Sequence, residues 1–245
     1  MPTTTSSHPG RLHIQPGFRW DAQDAYLFDI DGTLLRSRDR IHFKAFSAAI
    51  LQVTGEDAPL DGVSIHGSTD TMILREAFHL AGWSPQRIAP HWDAILEAMR
   101  QFVVNRRDEL DLQLMPCVQE TLRFLTARGA HLGVATGNLE TIGWTKIEKA
   151  GLRPWFSFGG FSDHFPVRCE LIANAVRTAR ELAGPEASIC VVGDTPRDIE
   201  AARANALPVI ALATGFFSFD ALMEFHPEVC AASLADLLAY SEALA

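Results

Sequence analysis

The sequence predicts an α/β fold, a parallel sheet with helices on both faces, interrupted early by an inserted block that is all helix. Three observations predict it. Short apolar runs at Ala25 to Phe28, His131 to Ala135 and Ser188 to Val192 each close on a polar or glycine-rich turn. From Pro116 onward such runs alternate with amphipathic stretches, the order that right-handed crossovers wind into a parallel sheet. Between the first run and that alternation, residues 36–114 carry helical spacing and no strand signal.

Residues 1–20 are rich in Thr, Ser, Pro and Gly and lack the charged-then-apolar order of a signal peptide, so they read as a disordered tail. Ala25 to Phe28 is short and wholly apolar, as a strand covered on both faces must be. Phe43, Phe46, Ile50 and Val53 then fall three or four apart, which predicts a helix over Ile41 to Val53. Gly55, Pro59 and Gly62 break it. Ser68, Thr69 or Asp70 caps a second helix that ends near Gly82. A third runs from about Pro90 to Leu110. Past Pro116 the expected elements are a helix from Val118 to Arg128, the strand His131 to Ala135, a helix from Leu139 to Ala150 and a brief strand at Trp155 to Phe158. A helix from Glu170 to Ala183, the strand Ser188 to Val192, a helix from Ile199 to Ala204 and the strand Pro208 to Leu212 follow. A helix near Asp220 to Glu224, a strand at Val229 to Ala232 and a final helix complete the chain. The organisation expected is a tail over 1–20, an α/β core over 21–35 and 115–245, and a helical insertion over 36–114.

Composition narrows the function classes. The 245 residues are 47% hydrophobic and 21% charged with a net charge of -9, which suits a globular chain with a sizeable core. The longest basic run is the pair Arg106-Arg107. Nucleic acid and anionic membrane are therefore poor partners. No apolar stretch approaches the roughly 18 residues a bilayer span requires, and a cytoplasmic location is expected. The four cysteines are far apart and lack metal-ligand spacing, so reduced thiols are expected; Cys190 and Cys230 lie in apolar runs as core residues.

The chemistry gathers where strands end. Asp29 and Asp31 follow the first apolar run two residues apart, so in an extended chain they project to one side. Such like charges repel unless a cation lies between them or one is protonated. Gly32 lets the chain turn and leaves a main-chain N–H for an anion. In an open α/β sheet ligands collect at the carboxyl ends of strands, and Asp29, Asp31, Thr136 and Asp194 all fall there.

The segments Asp29-Ile30-Asp31-Gly32-Thr33-Leu34, Thr136-Gly137-Asn138 and Gly193-Asp194-Thr195-Pro196-Arg197-Asp198 resemble three of the four motifs of the haloacid dehalogenase-like hydrolase superfamily, in order and with lengths that fit members carrying a helical cap. The resemblance runs from about Ala25 to the C-terminus. It implies a Rossmann-like core, Mg2+ as cofactor and a small phosphorylated metabolite as substrate, hydrolysed through an aspartyl-phosphate. A carboxylate can approach an anionic phosphate only with a divalent cation present. By resemblance Asp29 is nucleophile and metal ligand, Asp31 contributes a backbone carbonyl ligand and serves as general acid and base, and Asp194 adds a carboxylate. Asp198 lies near the metal, or is simply a carboxylate favoured at a helix N-terminus. Thr136 binds a phosphate oxygen with the N–H groups of Gly137 and Asn138, and Gly32 joins the phosphate site. Relatives that dehalogenate resemble Asp-x-Tyr at the first motif, so Asp31 favours phosphoryl transfer.

Two positions depart from the family pattern. Arg168 stands where a Lys is usual, and Arg and Lys differ in geometry; it is the expected partner of nucleophile and phosphate. Lys146 and Lys149 fall inside a predicted helix and read as its solvated face. Cys117 follows Pro116 where relatives often have Gly. In the insertion, His66, Ser68 and Thr69 are expected to meet a polar leaving group and Arg75 a carboxylate or second phosphate of the substrate, with surface or packing the plainer reading for His66 and helix capping for Ser68, Thr69 and Asp70. The resemblance is nearest to phosphoglycolate-phosphatase-like members. A phosphomutase of the same fold, and less so a non-catalytic binding protein, are the alternatives.

Overall fold

Ala25 to Phe28 sit inside the sheet with no polar group left unmet: three side chains are apolar, and the Tyr26 hydroxyl donates to Trp20 O at 2.7 Å. The computed structural model describes residues 10–244. In chain order its elements begin with β1 (Leu12–Ile14), β2 (Ala25–Phe28), β3 (Leu35–Ser37), α1 (Ile41–Thr54), α2 (Asp70–Leu80), α3 (Pro85–Ile88), α4 (Trp92–Val104) and β4 (Leu112–Leu114). They continue with α5 (Val118–Thr126), β5 (His131–Ala135), α6 (Glu140–Lys149), β6 (Phe158–Gly160), α7 (Arg168–Ala183) and β7 (Ile189–Gly193). The last are α8 (Pro196–Ala204), β8 (Val209–Leu212), α9 (Phe219–Met223), β9 (Val229–Ala231) and α10 (Leu234–Leu244).

The main sheet runs β1-β9-β8-β7-β2-β5-β6, with every pairing parallel except the edge pair β1 and β9. Strand β2 shows why helices cover both faces. Tyr26 and Phe28 enter one apolar cluster with Leu122 of α5 and Leu237 of α10. Ala25 and Leu27 enter another with Leu171 of α7 and Ile199 of α8. That is the period of two in a strand buried on both sides.

Helices α1, α2 and α4 share a third cluster, which reaches the core through Leu139 and Ile142. The segment from 36 to 114 is therefore mostly helical, as expected, but not wholly so. β3 and β4 pair antiparallel at its two ends, Leu35 opposite Leu114. Three-residue strands leave too short an alternation to be read in sequence.

Three further expectations need correction. The tail expected over 1–20 is structured in its second half: β1 lies on β9, and Trp20 is buried with its ring stacked 5.6 Å from Phe124. The apolar residues Leu12 and Ile14 pack against the core, and residues 1–9 lie outside the described region. The strand expected at Trp155 to Phe158 is displaced to Phe158–Gly160, because Arg153–Trp155 forms a 3-10 turn around Pro154. Lys146 is buried, whereas Lys149 is exposed as expected.

Candidate active site

Strands β2, β5 and β7 end side by side, and their following loops bring Asp29, Thr136 and Asp194 to one floor. A cavity of about 320 Å³ opens above it, lined by Asp29, Asp31, Thr136, Lys146, Arg168 and Asp194 and, from the helical side, by Phe43, Ile65, His66 and Ser68. That size is at the lower end for sites that hold small molecules.

Carboxylate oxygens of Asp29, Asp194 and Asp198, all buried, lie within 4.8 Å of one another. Arg168 at the start of α7 is the cation among them: its Nη2 is 2.9 Å from Asp29 Oδ1 and 2.7 Å from Asp198 Oδ1. Neither contact has the alignment of a hydrogen bond, so one guanidinium corner stands between two carboxylates as a charge. Three carboxylates against one guanidinium leave the cluster short of positive charge. Burial pushes the Asp29 carboxyl up to about 7, with Asp198 and Asp31 adding to the rise and Arg168 opposing it. Asp194 is raised well above the ordinary range, by burial first and then by Asp29 and Asp198. The missing charge, the hard oxygen donors and an Asp198 Oδ1 that accepts no hydrogen bond suit a small divalent cation.

Asp194 is wedged between glycines. A Cβ on Gly32 would lie 2.3 Å from its Oδ2, and one on Gly215 would lie 1.6 Å away. Thr33 Oγ1 donates to its other oxygen at 3.3 Å. Asp198 holds the N-terminus of α8. Its Oδ2 accepts from the backbone N and Oγ1 of Thr195 at 3.0 and 2.7 Å, completing a capping box on α8, while Oδ1 faces Arg168.

Asp29 and Asp31 share a loop but not their partners. The Asp31 carboxylate accepts from Lys146 Nζ at 2.7 and 2.8 Å and from Asn138 Nδ2 at 2.9 Å. Burial would raise its pKa, but Lys146 and His42 outweigh this and hold it below the ordinary carboxylate range. Asn138 Nδ2 also donates to Thr136 Oγ1 at 2.6 Å, and its Oδ1 accepts from Lys146 at 2.8 Å. The Gly32 N–H expected to serve an anion donates instead to Leu35 O at 2.8 Å, because the turn closes on itself.

The insertion residues divide. His66 and Ser68 line the cavity; His66 stacks 4.1 Å from the exposed Phe216 ring, and Ser68 Oγ accepts from Arg197. Thr69 is buried, accepts from Met72 N as the α2 cap and donates to Pro166 O at 2.6 Å. Its partners are thus a helix and a core loop. Arg75 is placed outside the cavity lining, its guanidinium over the Trp92 ring at 4.7 Å. Sequence reasoning missed two contributors. Lys146 lies on the buried face of α6 with Ile142, Gly143 and Ile147, a spacing that was there to be read. His42 carried no comparable signal.

With parallel sheet, strand-end carboxylates and buried guanidinium in place, the class is that of an open α/β protein with an acidic, cation-demanding floor at its strand ends. The model of the haloacid dehalogenase-like hydrolase family matches residues 23–205, and the chain belongs to that family. It is 26% identical over 209 residues to a phosphoglycolate phosphatase of Agrobacterium fabrum, covering 83% of this chain and 85% of that one. It is 28% identical over 221 residues to the phosphoglycolate phosphatase of Synechococcus elongatus, covering 87% and 95%. The fold matches that of a haloacid dehalogenase-like family hydrolase from Streptococcus pneumoniae with a TM-score of 0.62 at 22% identity, over 89% of this chain and 98% of that one. The phosphoric monoester hydrolase expected from the motifs agrees with these relatives. Among the described residues no helix is long and apolar enough to cross a membrane.

Proposed function

We propose that the chain is a Mg2+-dependent phosphatase that hydrolyses a small phosphorylated metabolite through an aspartyl-phosphate on Asp29. The observation that carries this reading is the cluster of Asp29, Asp194 and Asp198 around Arg168. It supports Asp29 as the nucleophile, because a phosphate there would meet the Arg168 guanidinium at the foot of a cavity of metabolite size.

The carboxylates of Asp29 and Asp194 and the backbone carbonyl of Asp31 would hold Mg2+, with Asp198 next to them. When bound, the ion supplies charge neutralisation for nucleophile and phosphate. The rest falls to the side chains. Asp29 attacks phosphorus as the bond to the leaving oxygen breaks. Arg168 neutralises the charge that spreads onto the phosphoryl oxygens. Thr136, whose Oγ1 already accepts from both nitrogens of Asn138, donates its O–H to a phosphoryl oxygen, beside the N–H of Gly137. Asp31 gives a proton to the leaving oxygen and takes one from the water that releases phosphate from Asp29.

The helices over 36–114 act as the cap. Gly137 lies so near the Ser68 carbonyl that a Cβ there would be 2.4 Å from it, and Asp70 N donates to Gly137 O at 2.7 Å. His66 and Ser68, which line the cavity, are the cap residues this reading assigns to the leaving group. The relatives named phosphoglycolate phosphatase support hydrolysis over the phosphomutase alternative and point to a short phosphorylated acid as the first substrate to try. The test is p-nitrophenyl phosphate hydrolysis with and without Mg2+, for the parent and Asp29→Asn. The parent should require the metal and the variant should be inactive; undiminished activity in Asp29→Asn would remove the nucleophile from this reading.

A further inference from the structure

A buried ammonium is costly unless its charge and all of its donors are matched. Lys146 is 1% exposed, and its three N–H bonds have three partners. They are the Asp31 carboxylate at 2.7 Å, Asn138 Oδ1 at 2.8 Å and His42 Nδ1 at 3.0 Å. The last contact fixes the histidine: Nδ1 can accept only if the ring proton is on Nε2, and Nε2 faces Asp70 Oδ2 at 3.0 Å. Asp70 Oδ2 is itself held by Leu139 N at 2.8 Å. The result is a chain of hydrogen bonds that runs outward from Lys146, to Asp31 on one side and through His42 to Asp70 on the other. It links α1 and α2 to the loop after β2.

None of these groups belongs to the cluster of Asp29, Asp194 and Asp198. The chain therefore does something that cluster does not: it draws the Asp31 carboxylate away from it. Left to solvent and the nearby cation site, that carboxylate could rotate about χ1 and become one more metal-side oxygen. Lys146 and Asn138 instead hold it at the cavity wall.

We propose that Lys146 is the positioning residue for proton transfer by Asp31, with His42 and Asp70 fixing Lys146 in turn. The inference rests on the reading of Asp31 as the proton-transfer group. Asp31 rests as a carboxylate beside Lys146, so it first takes up the proton of a monoanionic phosphate ester and passes it to the leaving oxygen as the Asp29 oxygen bonds to phosphorus and that oxygen departs. As water bonds to phosphorus and the Asp29 oxygen is released, a water proton returns to Asp31. An alkoxide needs that first proton and p-nitrophenolate does not. A positioning residue for Asp31 must therefore discriminate between leaving groups, whereas a merely structural ion pair would not.

The experiment compares Lys146→Met with the parent on phosphoglycolate and on p-nitrophenyl phosphate, reading the latter as the pre-steady-state release of p-nitrophenolate. A general acid is worth about a hundredfold or more. The variant should lose about that much in kcat/KM on the alkyl ester and less than about tenfold in the p-nitrophenolate burst. His42→Phe keeps the ring stacked on Phe46, 5.5 Å away in the parent, and should show the same bias at smaller size; it carries the test if Lys146→Met does not fold. Equal losses on both substrates overturn the proposal in favour of a structural ion pair. A crystal structure of metal-free Lys146→Met gives an activity-independent reading: Asp31 should have left Asn138 Nδ2, and an unmoved Asp31 overturns the proposal. If the parent hydrolyses neither ester the phosphatase reading fails, and the crystal structure still decides the positioning.

Discussion

Arg168 Nη2 stands 2.9 Å from Asp29 and 2.7 Å from Asp198, so one guanidinium nitrogen serves a strand-end carboxylate and a helix-capping carboxylate together. Removing it leaves buried carboxylates facing one another with no cation. A single donor that stabilises transition-state charge is worth about 2.7 to 4 kcal/mol. Arg168→Ala should therefore lower kcat by about a hundredfold to a thousandfold in steady-state phosphate release. Arg168→Lys should recover only part of this, because Nη1 also donates to Gly67 O at 3.2 Å and an ammonium cannot reach all three partners. A loss below about threefold in Arg168→Ala would transfer the role elsewhere.

What the sequence made legible, and what it hid, follow from one distinction. Strand ends and their carboxylates are local features, so Asp29, Thr136 and Asp194 could be placed from apolar runs and turns. Arg168 came only from the resemblance, as the residue that stands where the family usually has Lys. Lys146 was misread because a charged residue on a helix is by default solvated, and only the burial of Ile142, Gly143 and Ile147 beside it shows that its face turns inward. His42 and Asp70 are 28 residues apart and meet at 3.0 Å only when α1 and α2 pack. Gly32 failed in the other direction: its N–H is consumed within four residues by Leu35 O, a detail of turn closure that residue type does not specify.

Stability without metal should fall as pH rises. Asp29 is raised to about 7 in the fold, against about 3.9 for an unfolded Asp. The folded chain thus binds more protons between those values. The stabilisation tied to this proton is complete below about pH 4 and lost as pH climbs through 7. Asp194, raised by the same crowding, acts in the same direction. Thermal melts of chelator-treated protein should show Tm decreasing from pH 5 to pH 8, and Mg2+ at a hundred times its Kd should restore about 2.7 kcal/mol. A metal-free Tm that rises over this range would contradict the crowded-carboxylate account.

Cys117 occupies the left-handed region at φ 57 and ψ 24, just before α5. A side chain with a Cβ holds that conformation at a cost of about 1 kcal/mol or more, which gives glycine a physical reason to be frequent there in relatives. Glycine also costs about 0.5 to 1 kcal/mol in unfolded-state entropy. The two nearly offset, so Cys117→Gly should be at least as stable as the parent in urea unfolding. Cys117→Val, β-branched in a region that tolerates branching worst, should lose about 1 kcal/mol or more. If valine were tolerated as well as glycine, the left-handed turn would not be the constraint at this position.

Gly215 tests the acidic floor from behind. Its backbone is not in the left-handed region, so alanine is conformationally acceptable there, and the obstacle is Asp194 Oδ2, 1.6 Å from the added carbon. The carboxylate must rotate away, dragging the contact from Thr33 Oγ1 with it. Asp29, Arg168 and Thr136 are not among the nearest atoms the added carbon meets. Gly215→Ala should therefore weaken Mg2+ binding by about tenfold to a hundredfold, the range for lost support of a metal ligand. A Mg2+ titration of activity would show this as a shifted half-saturation point, with much of kcat regained at high metal. Calorimetry on the unreacted protein supplies the same number independently of turnover. An unchanged Mg2+ affinity would show that Asp194 does not need its present orientation to hold the ion.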